Sequence, residues 1–261
     1  MRSLLKYKKT TLLLSLSLLP LLASAQTTHG DFDYDGRTSI NDLTFLINYL
    51  LTDQWNDEPT DVLRDTVVVN GVPFVMVHVD GGSFQRDGGS IITVEDFWIG
   101  KTEVTQELWE AVMNGSPNSG NKTPRHPQHD VSWRDCQSFF VRLNELTGRN
   151  FRIPYPDEWE FAARGGNRSC GYRYAGGNNP QLVAWYKIPN HAGTYAREVA
   201  QLKPNELGLY DMSGNVNEWC MPCILRSGNY NWDESHCLVT WSSVGLADGD
   251  PPYGTGFRIA M

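Results

Sequence analysis

The chain has 261 residues, of which 40% are hydrophobic and 20% are charged, and its formal net charge is -8 at pH 7. A negative chain repels phosphate backbones and anionic lipid, so nucleic-acid binding and membrane-surface binding are excluded as primary functions. The length allows one domain with a sizeable core and a small additional unit.

Residues 1–25 have the pattern of a secretory signal peptide. Basic residues between Arg2 and Lys9 precede an apolar run over residues 12–23, and the run ends in the small-residue cleavage pattern Ala-Ser-Ala. The run is shorter than the ~20 residues that a membrane-spanning helix needs, so we expect cleavage and no membrane span in the mature chain. The sequence therefore predicts export to the periplasm or to the outside of the cell.

Residues 26–51 have the spacing of a calcium loop followed by a helix. The expected oxygen ligands are the side chains or carbonyls of Asp31, Asp33, Asp35, Arg37 (carbonyl), Ser39 and Asp42. Leu43, Leu46, Ile47 and Leu50 then form one helical stripe. The arrangement resembles a single dockerin repeat, which implies bound calcium and a cohesin-like partner. The alternative is an acidic, mobile leader without a metal.

A polar linker over residues 52–61 leads into the main domain, residues 62–261. Asn70-Gly71 lies between two runs rich in β-branched residues, which predicts a hairpin. Three helices are expected to follow: one after Thr105, one from Ser132 to near Gly148, and one from Pro156 to Gly165. The buried face of the second helix is predicted to consist of Phe139, Phe140, Leu143 and Leu146.

Three motifs in the second half of the chain carry a family resemblance. They are FRIPYPDEWEFAARGG over residues 151–166, GLYDMSGNVNEW over 208–219 and GTGFRIA over 254–260. In this order they resemble the sulfatase-modifying-factor family, whose best-known member is the formylglycine-generating enzyme. The resemblance implies an irregular α+β fold with little regular secondary structure, a variant of the C-type lectin fold.

The resemblance also implies a copper-dependent reaction, and this chain lacks one of the residues that the reaction needs. In the enzyme of this family, two cysteines bind Cu(I), which activates oxygen to oxidise a cysteine of a sulfatase; soft thiolates suit that metal. Cys237 matches the second cysteine, and Trp232 stands at the position of the first. An indole supplies no thiolate, so we expect no copper site from these positions. Cys237 is the candidate catalytic residue, and the alternative is a buried, inert or disulfide-bonded sulfur.

A second metal site is implied by the segment GLYDMSGNVNEW. The family's calcium ligands correspond here to the side chains of Asp211 and Glu218 and to the carbonyls of Gly214 and Val216. Carboxylate and carbonyl oxygens suit a hard cation. The alternative is a cation-free turn in which Asp211 accepts hydrogen bonds from backbone donors.

Other residue types have a structural and a functional interpretation. Five cysteines in an exported chain permit two disulfides and one free thiol, with a pairing that the sequence leaves open. Five of the nine tryptophans, Trp98, Trp109, Trp133, Trp159 and Trp219, are expected in the core. Trp185, Trp232 and Trp241 lie in polar, loop-like surroundings and could line a groove for sugar or peptide.

Three functions follow from these observations. The one we favour is a non-catalytic binding module for a glycan or protein ligand. The second is a copper-dependent oxidase that converts a sulfatase cysteine to formylglycine, and the third is a structural component of an envelope or secretion assembly.

Overall fold

The computed structural model describes residues 59–115, 123–187, 195–247, 249 and 252–261. The chain divides into two units, Met1–Asn56 and Asp57–Met261, and the fold below is that of the second unit. The predicted signal peptide, the predicted calcium loop and residues 52–58 of the predicted linker lie outside the described residues. Within the described ranges, no helix combines the length and the hydropathy that crossing a membrane requires.

The first half of the domain is built from five short strands. In chain order they are β1 (Arg64–Val69), β2 (Val72–Val79), β3 (Gly82–Gln85), β4 (Ile91–Val94) and β5 (Phe97–Gly100). Strands β1, β2 and β5 form an antiparallel sheet in that order, and β3 pairs with β4. The hairpin predicted at Asn70-Gly71 is confirmed: both residues have positive φ, 49° and 86°, and Val69 pairs with Val72 across the turn.

Four helices follow, and the first three begin where capping residues predict. They are α1 (Gln106–Met113), α2 (Trp133–Thr147), α3 (Pro156–Ala163) and the short α4 (Pro180–Val183). The Thr105 side chain accepts from the Leu108 N–H at the start of α1. Ser132 and Asp135 form a reciprocal capping box at the start of α2, which ends at Gly148 in the left-handed conformation.

The second half contains a four-stranded sheet. Its strands are β6 (Asn217–Cys220), β7 (Ile224–Arg226), β8 (Ser243–Val244) and β9 (Thr255–Phe257), arranged in the order β8-β7-β6-β9. Strand β9 is parallel to β6, and the other pairs are antiparallel. A 3-10 turn, Glu234–Cys237, precedes β8.

The C-terminal residues join the two sheets. The Trp98 N–H donates to the Met261 carbonyl, and the Met261 N–H donates to the Trp98 carbonyl, at 3.0 Å and 2.9 Å. Ala260 exchanges a similar pair of bonds with Arg152. Residues 259–261, which follow β9, are therefore hydrogen-bonded both to β5 and to Arg152 in the segment between α2 and α3.

The predicted core is largely confirmed. Trp109, Trp133, Trp159 and Trp219 are buried, whereas Trp98 is half-buried and packs against the core. On α2, Phe139, Phe140 and Leu143 are buried, but Leu146 is 37% exposed because it lies in the last turn of the helix. Short elements joined by long irregular segments give a mixed α+β fold with little regular secondary structure, as expected.

Candidate functional site

Three aromatic side chains, Trp232, His236 and Trp241, contact one another at the surface; we call them the aromatic trio. The Trp232 ring lies 5.0 Å from the His236 ring and 5.3 Å from the Trp241 ring, and the latter two rings are 5.7 Å apart. All three side chains are half-buried. Edge-to-face contacts at these distances are favourable, so the trio presents a rigid apolar surface.

The turn around the trio is fixed by local hydrogen bonds. Asp233 caps the 3-10 turn by accepting from the Ser235 N–H at 3.0 Å, and its Oδ1 lies 3.2 Å from His236 Nδ1. Gly228 has φ +69°, and a Cβ there would lie 2.5 Å from the His236 carbonyl oxygen. The close approach of these two segments therefore requires glycine at position 228.

Arg226 holds the backbone next to the trio through hydrogen bonds. Its guanidinium donates to the carbonyl oxygens of Thr240 and Trp241 at 3.4 Å and 3.2 Å. It also donates to Glu160 Oε2 at 2.9 Å, and the other oxygen of Glu160 accepts two bonds from Arg164. Because Arg226 and Glu160 are both almost fully buried, this pair fixes the backbone of Trp241 to α3.

Cys237, the predicted catalytic residue, is a buried thiol. Its side chain is in a small apolar cluster with Tyr174, Val183 and Ala184. Burial, with smaller contributions from Asp233 and Glu234, raises the pKa of the Cys237 thiol to about 12. The thiolate is the form that binds copper and acts as a nucleophile, so at neutral pH this sulfur is held in its unreactive form.

None of the five cysteines, all of which are described, forms a disulfide. The two disulfides that the composition permits are therefore not formed in this structure. Cys220 packs in a different apolar cluster from Cys237, and Cys223 packs against a third.

The residues predicted to bind calcium lie in a buried charged network. Both oxygens of Glu218 accept from Arg258, and Oε2 also accepts from Trp159 Nε1 at 2.7 Å. Asp211 Oδ2 accepts from the Ala200 N–H at 2.8 Å, and the Gly214 carbonyl accepts from Ser227 Oγ. The alternative function of Asp211, accepting from a backbone donor, is thus present in the structure.

Glu103 is a third carboxylate of this network that the sequence analysis missed. It is 2% exposed, and it accepts from the Val216 N–H at 3.1 Å and from Asn215 Nδ2 at 2.8 Å. In the sequence Glu103 follows Lys101 and Thr102 and precedes Val104, a mixed pattern that does not indicate burial. Burial, and then the charges of Asp211 and Glu218, raise the pKa of Glu103 well above its usual value.

The network thus has three carboxylates and one guanidinium. Burial raises the pKa of Asp211 to about 6, so a proton is one means of reducing the excess negative charge. No group of three or more histidine, cysteine, aspartate or glutamate side chains in the described ranges is arranged to hold a metal ion. Calcium ligation by Glu218 would require a rearrangement of Arg258, and calcium at this segment stays a prediction.

Trp185, the third tryptophan predicted to line a groove, is not one of the three rings of the trio. Trp185 lies under the guanidinium of Arg197, whose Cζ is 5.3 Å from the centroid of the Trp185 ring. The Lys187 N–H, two residues later, donates to the Trp232 carbonyl at 2.8 Å, so the two segments are neighbours. Of the three tryptophans predicted to line a groove, the structure brings Trp232 and Trp241 together.

The relatives of this chain are named for different functions. Over 198 residues it is 36% identical to the chaperone protein LppX of Paenibacillus barcinonensis, which covers 56% of this chain and 70% of that protein. Over 155 residues it is 30% identical to the formylglycine-generating enzyme of Thermomonospora curvata, which covers 55% of this chain and 46% of the enzyme. Over 125 residues it is 32% identical to the inactive C-alpha-formylglycine-generating enzyme 2 of Bos taurus, with coverage of 44% and 39%.

The fold and the sequence agree on the family. Treponema denticola variable protein 1 superposes with a TM-score of 0.65 at 25% identity, over 76% of this chain and 98% of that chain. The chain spans less than half of the length of the two formylglycine-generating-enzyme relatives. Residues 53–250 match the FGE-sulfatase family, described as the sulfatase-modifying factor enzyme 1-like domain, and the chain belongs to that family.

Proposed function

We propose that this domain is a non-catalytic binding module whose ligand, a glycan or a protein segment, rests on the aromatic trio. The observation that carries the proposal is the trio itself: Trp232, at the position that corresponds to a copper cysteine, packs with His236 and Trp241 at the surface. Tryptophan is over-represented among the residues that dominate binding energy, because it buries a large rigid area at a small cost in side-chain entropy.

The burial and protonation of the Cys237 thiol support a domain that binds a ligand without catalysing a reaction. Oxidation of a substrate thiol by the family's mechanism needs two thiolates on Cu(I), and here one position has an indole while the other thiol is buried and protonated. The family includes a relative named as a chaperone and one named as inactive, so loss of the chemistry is compatible with this scaffold.

Ligand binding by the trio is tested with substitutions of its rings. A glycan array and a library of extended peptides are first used to find a ligand for the purified chain. Trp232→Ala and Trp241→Ala are each expected to weaken binding of that ligand by about thirtyfold or more, since loss of such an anchor costs about 2 kcal/mol or more. The matched control is Val68→Ala, because Val68 is an exposed apolar residue, 61% accessible, on β1, an edge strand of the sheet that does not contain the trio. Unchanged affinity in both tryptophan variants would contradict the proposal.

The oxidase alternative remains testable because Cys237 is present. The chain is co-expressed with a sulfatase-type cysteine peptide, and mass spectrometry measures conversion of the cysteine to formylglycine. We expect no conversion above the level found with Cys237→Ser. Conversion that depends on Cys237 and on added copper would replace the binding proposal with the enzymatic one.

The N-terminal unit carries separate proposals. We propose export through residues 1–25, and calcium binding by the loop from Asp31 to Asp42 as an attachment point for a cohesin-like partner; the support is the residue spacing alone. Calcium titration of the chain tests the loop. Asp31→Ala and Asp35→Ala are expected to abolish one calcium-binding event, and an unchanged titration would exclude the loop as the site.

A further inference from the structure

A pocket lies away from the aromatic trio, between β2 and the start of α1. Its volume is about 190 Å³. Its lining includes Phe74, Glu103, Glu107, Leu108, Arg125 and Val199. A cavity of about 150 Å³ holds one benzene molecule, so this pocket suits a ligand only slightly larger. An oligosaccharide or a folded peptide would not fit inside it.

The pocket is lined by charged side chains of both signs. Arg125 and Lys101 are the basic residues of the lining, and Glu103 and Glu107 are the acidic ones. Arg125 uses one nitrogen to donate to the Val199 carbonyl at 3.2 Å, and its Nε lies 4.0 Å from Glu198. Its side chain is 54% exposed and a guanidinium has five N–H donors, so a ligand carboxylate can reach it.

Glu103 connects the pocket to the buried network, because it lines the pocket while its two oxygens accept from Asn215 and Val216. Ala200, whose N–H donates to Asp211, lines the same pocket. Glu107 is the acidic residue of the lining that lies outside this network, so it is the partner available to a ligand's ammonium group.

The remaining walls are apolar and rigidly placed. Phe74, Leu108 and Val199 supply apolar surface. The Glu107 N–H donates to the Pro124 carbonyl at 3.1 Å, and Val199 and Arg125 are joined by a 3.0 Å backbone bond. These bonds hold the start of α1 and Val199 against the segment that contains Arg125, so the pocket is largely formed before a ligand arrives.

We propose that this pocket binds a free amino acid with an aliphatic side chain. Its carboxylate contacts Arg125, its ammonium group contacts Glu107 with Glu103 beneath it, and its side chain rests on Phe74, Leu108 and Val199. Pocket volume, opposite charges and apolar walls together select this class over a purely anionic, purely cationic or larger ligand.

The test is calorimetric titration of the full chain with L-leucine and two capped analogues. Leucinamide lacks the carboxylate and N-acetyl-leucine lacks the ammonium group, so each is expected to bind about tenfold more weakly or worse than leucine. Tri-leucine, which exceeds the pocket, is expected to bind at least as poorly. Absence of saturable binding, or equal binding of leucine and both capped analogues, would overturn the proposal.

Two variants test which pocket residue contacts each charged group of leucine. Arg125→Gln is expected to remove the preference for leucine over leucinamide, because the variant lacks the partner of the carboxylate. Glu107→Gln is expected to remove the preference for leucine over N-acetyl-leucine, because the variant lacks the partner of the ammonium group. The matched controls are Arg142→Gln and Glu145→Gln, which break an exposed ion pair on α2. If the pocket variants behave as the controls do, leucine binds elsewhere and the assignment is wrong. Trp232→Ala should leave leucine binding unchanged, which separates this site from the aromatic trio.

Discussion

At the scale of single residues, burial decides which cysteines of this chain can react. Cys170 is exposed, whereas Cys136, Cys220 and Cys237 are buried. Burial raises the pKa of all three buried thiols, and partial burial beside the Glu206 carboxylate also raises the pKa of Cys170. Access of the alkylating reagent is therefore what separates Cys170 from the buried thiols.

We therefore predict selective alkylation. Iodoacetamide at pH 7.5 is expected to label Cys170 in the folded chain and to leave Cys136, Cys220 and Cys237 unlabelled until denaturant is added. Peptide mass spectrometry measures the labelling. Rapid labelling of Cys237 in the native chain would contradict its burial and reopen the enzymatic function.

The raised pKa of Asp211 leads us to predict an unusual pH dependence of the free energy of unfolding. Its folded pKa of about 6 is above the ordinary carboxyl value of 3.8, so the folded state binds the proton more tightly. This contribution is complete below pH 4 and is lost as the pH rises through 6. The free energy of unfolding is expected to fall by about 1 kcal/mol between pH 5 and pH 7 from this group.

Urea denaturation in the presence of a chelator measures this effect. Asp211→Asn should keep the bond from the Ala200 N–H and reduce the pH dependence, whereas His126, whose burial lowers its pKa, contributes in the opposite direction in both proteins. The same slope in both proteins would exclude Asp211 as the cause. A rise in stability on adding calcium at pH 7 that is lost in Asp211→Asn would instead support the predicted calcium site.

At the scale of elements, Arg226 joins β7 to α3 and to the segment before β8. It is 4% exposed and contacts Glu160, Pro156, Thr240 and Trp241. Arg226→Ala leaves Glu160 with Arg164 but removes the link to the trio. We predict a loss of about 3 kcal/mol in the free energy of unfolding.

Denaturant titration checks this value, with Arg142→Ala as the control. Arg142 is paired with Glu145 at an exposed position, so its loss should cost at most a few tenths of a kcal/mol. Similar values for the two variants would mean that the Arg226 network adds nothing to stability.

Elements that depend on neighbouring residues are predictable from the sequence, and contacts between distant residues are not. The Asn70-Gly71 hairpin and the Ser132–Asp135 capping box each involve residues at most three positions apart. Glu103, in contrast, finds its partners at Asn215 and Val216, more than a hundred residues later. The trio likewise depends on Arg226, whose anchor Glu160 lies on α3. No local pattern contains that information.

At the scale of the whole molecule, residues 57–261 form a unit with their own core. We predict that this fragment folds without residues 1–56 and melts in one cooperative transition within a few degrees of the full chain. Calorimetry of both proteins measures this. A fragment without a transition would show that the domain needs the preceding residues.

The bonds between the C-terminal residues and β5 have a consequence for biosynthesis. Strand β5 and Arg152 are made long before Ile259, Ala260 and Met261, which satisfy their backbone groups. At 5–20 residues per second, β5 waits on the order of ten seconds for these partners. During that interval the N–H groups of Trp98 and Gly100 lack the carbonyls that they bond in the finished domain, so the first sheet is completed only after residues 259–261 have been made.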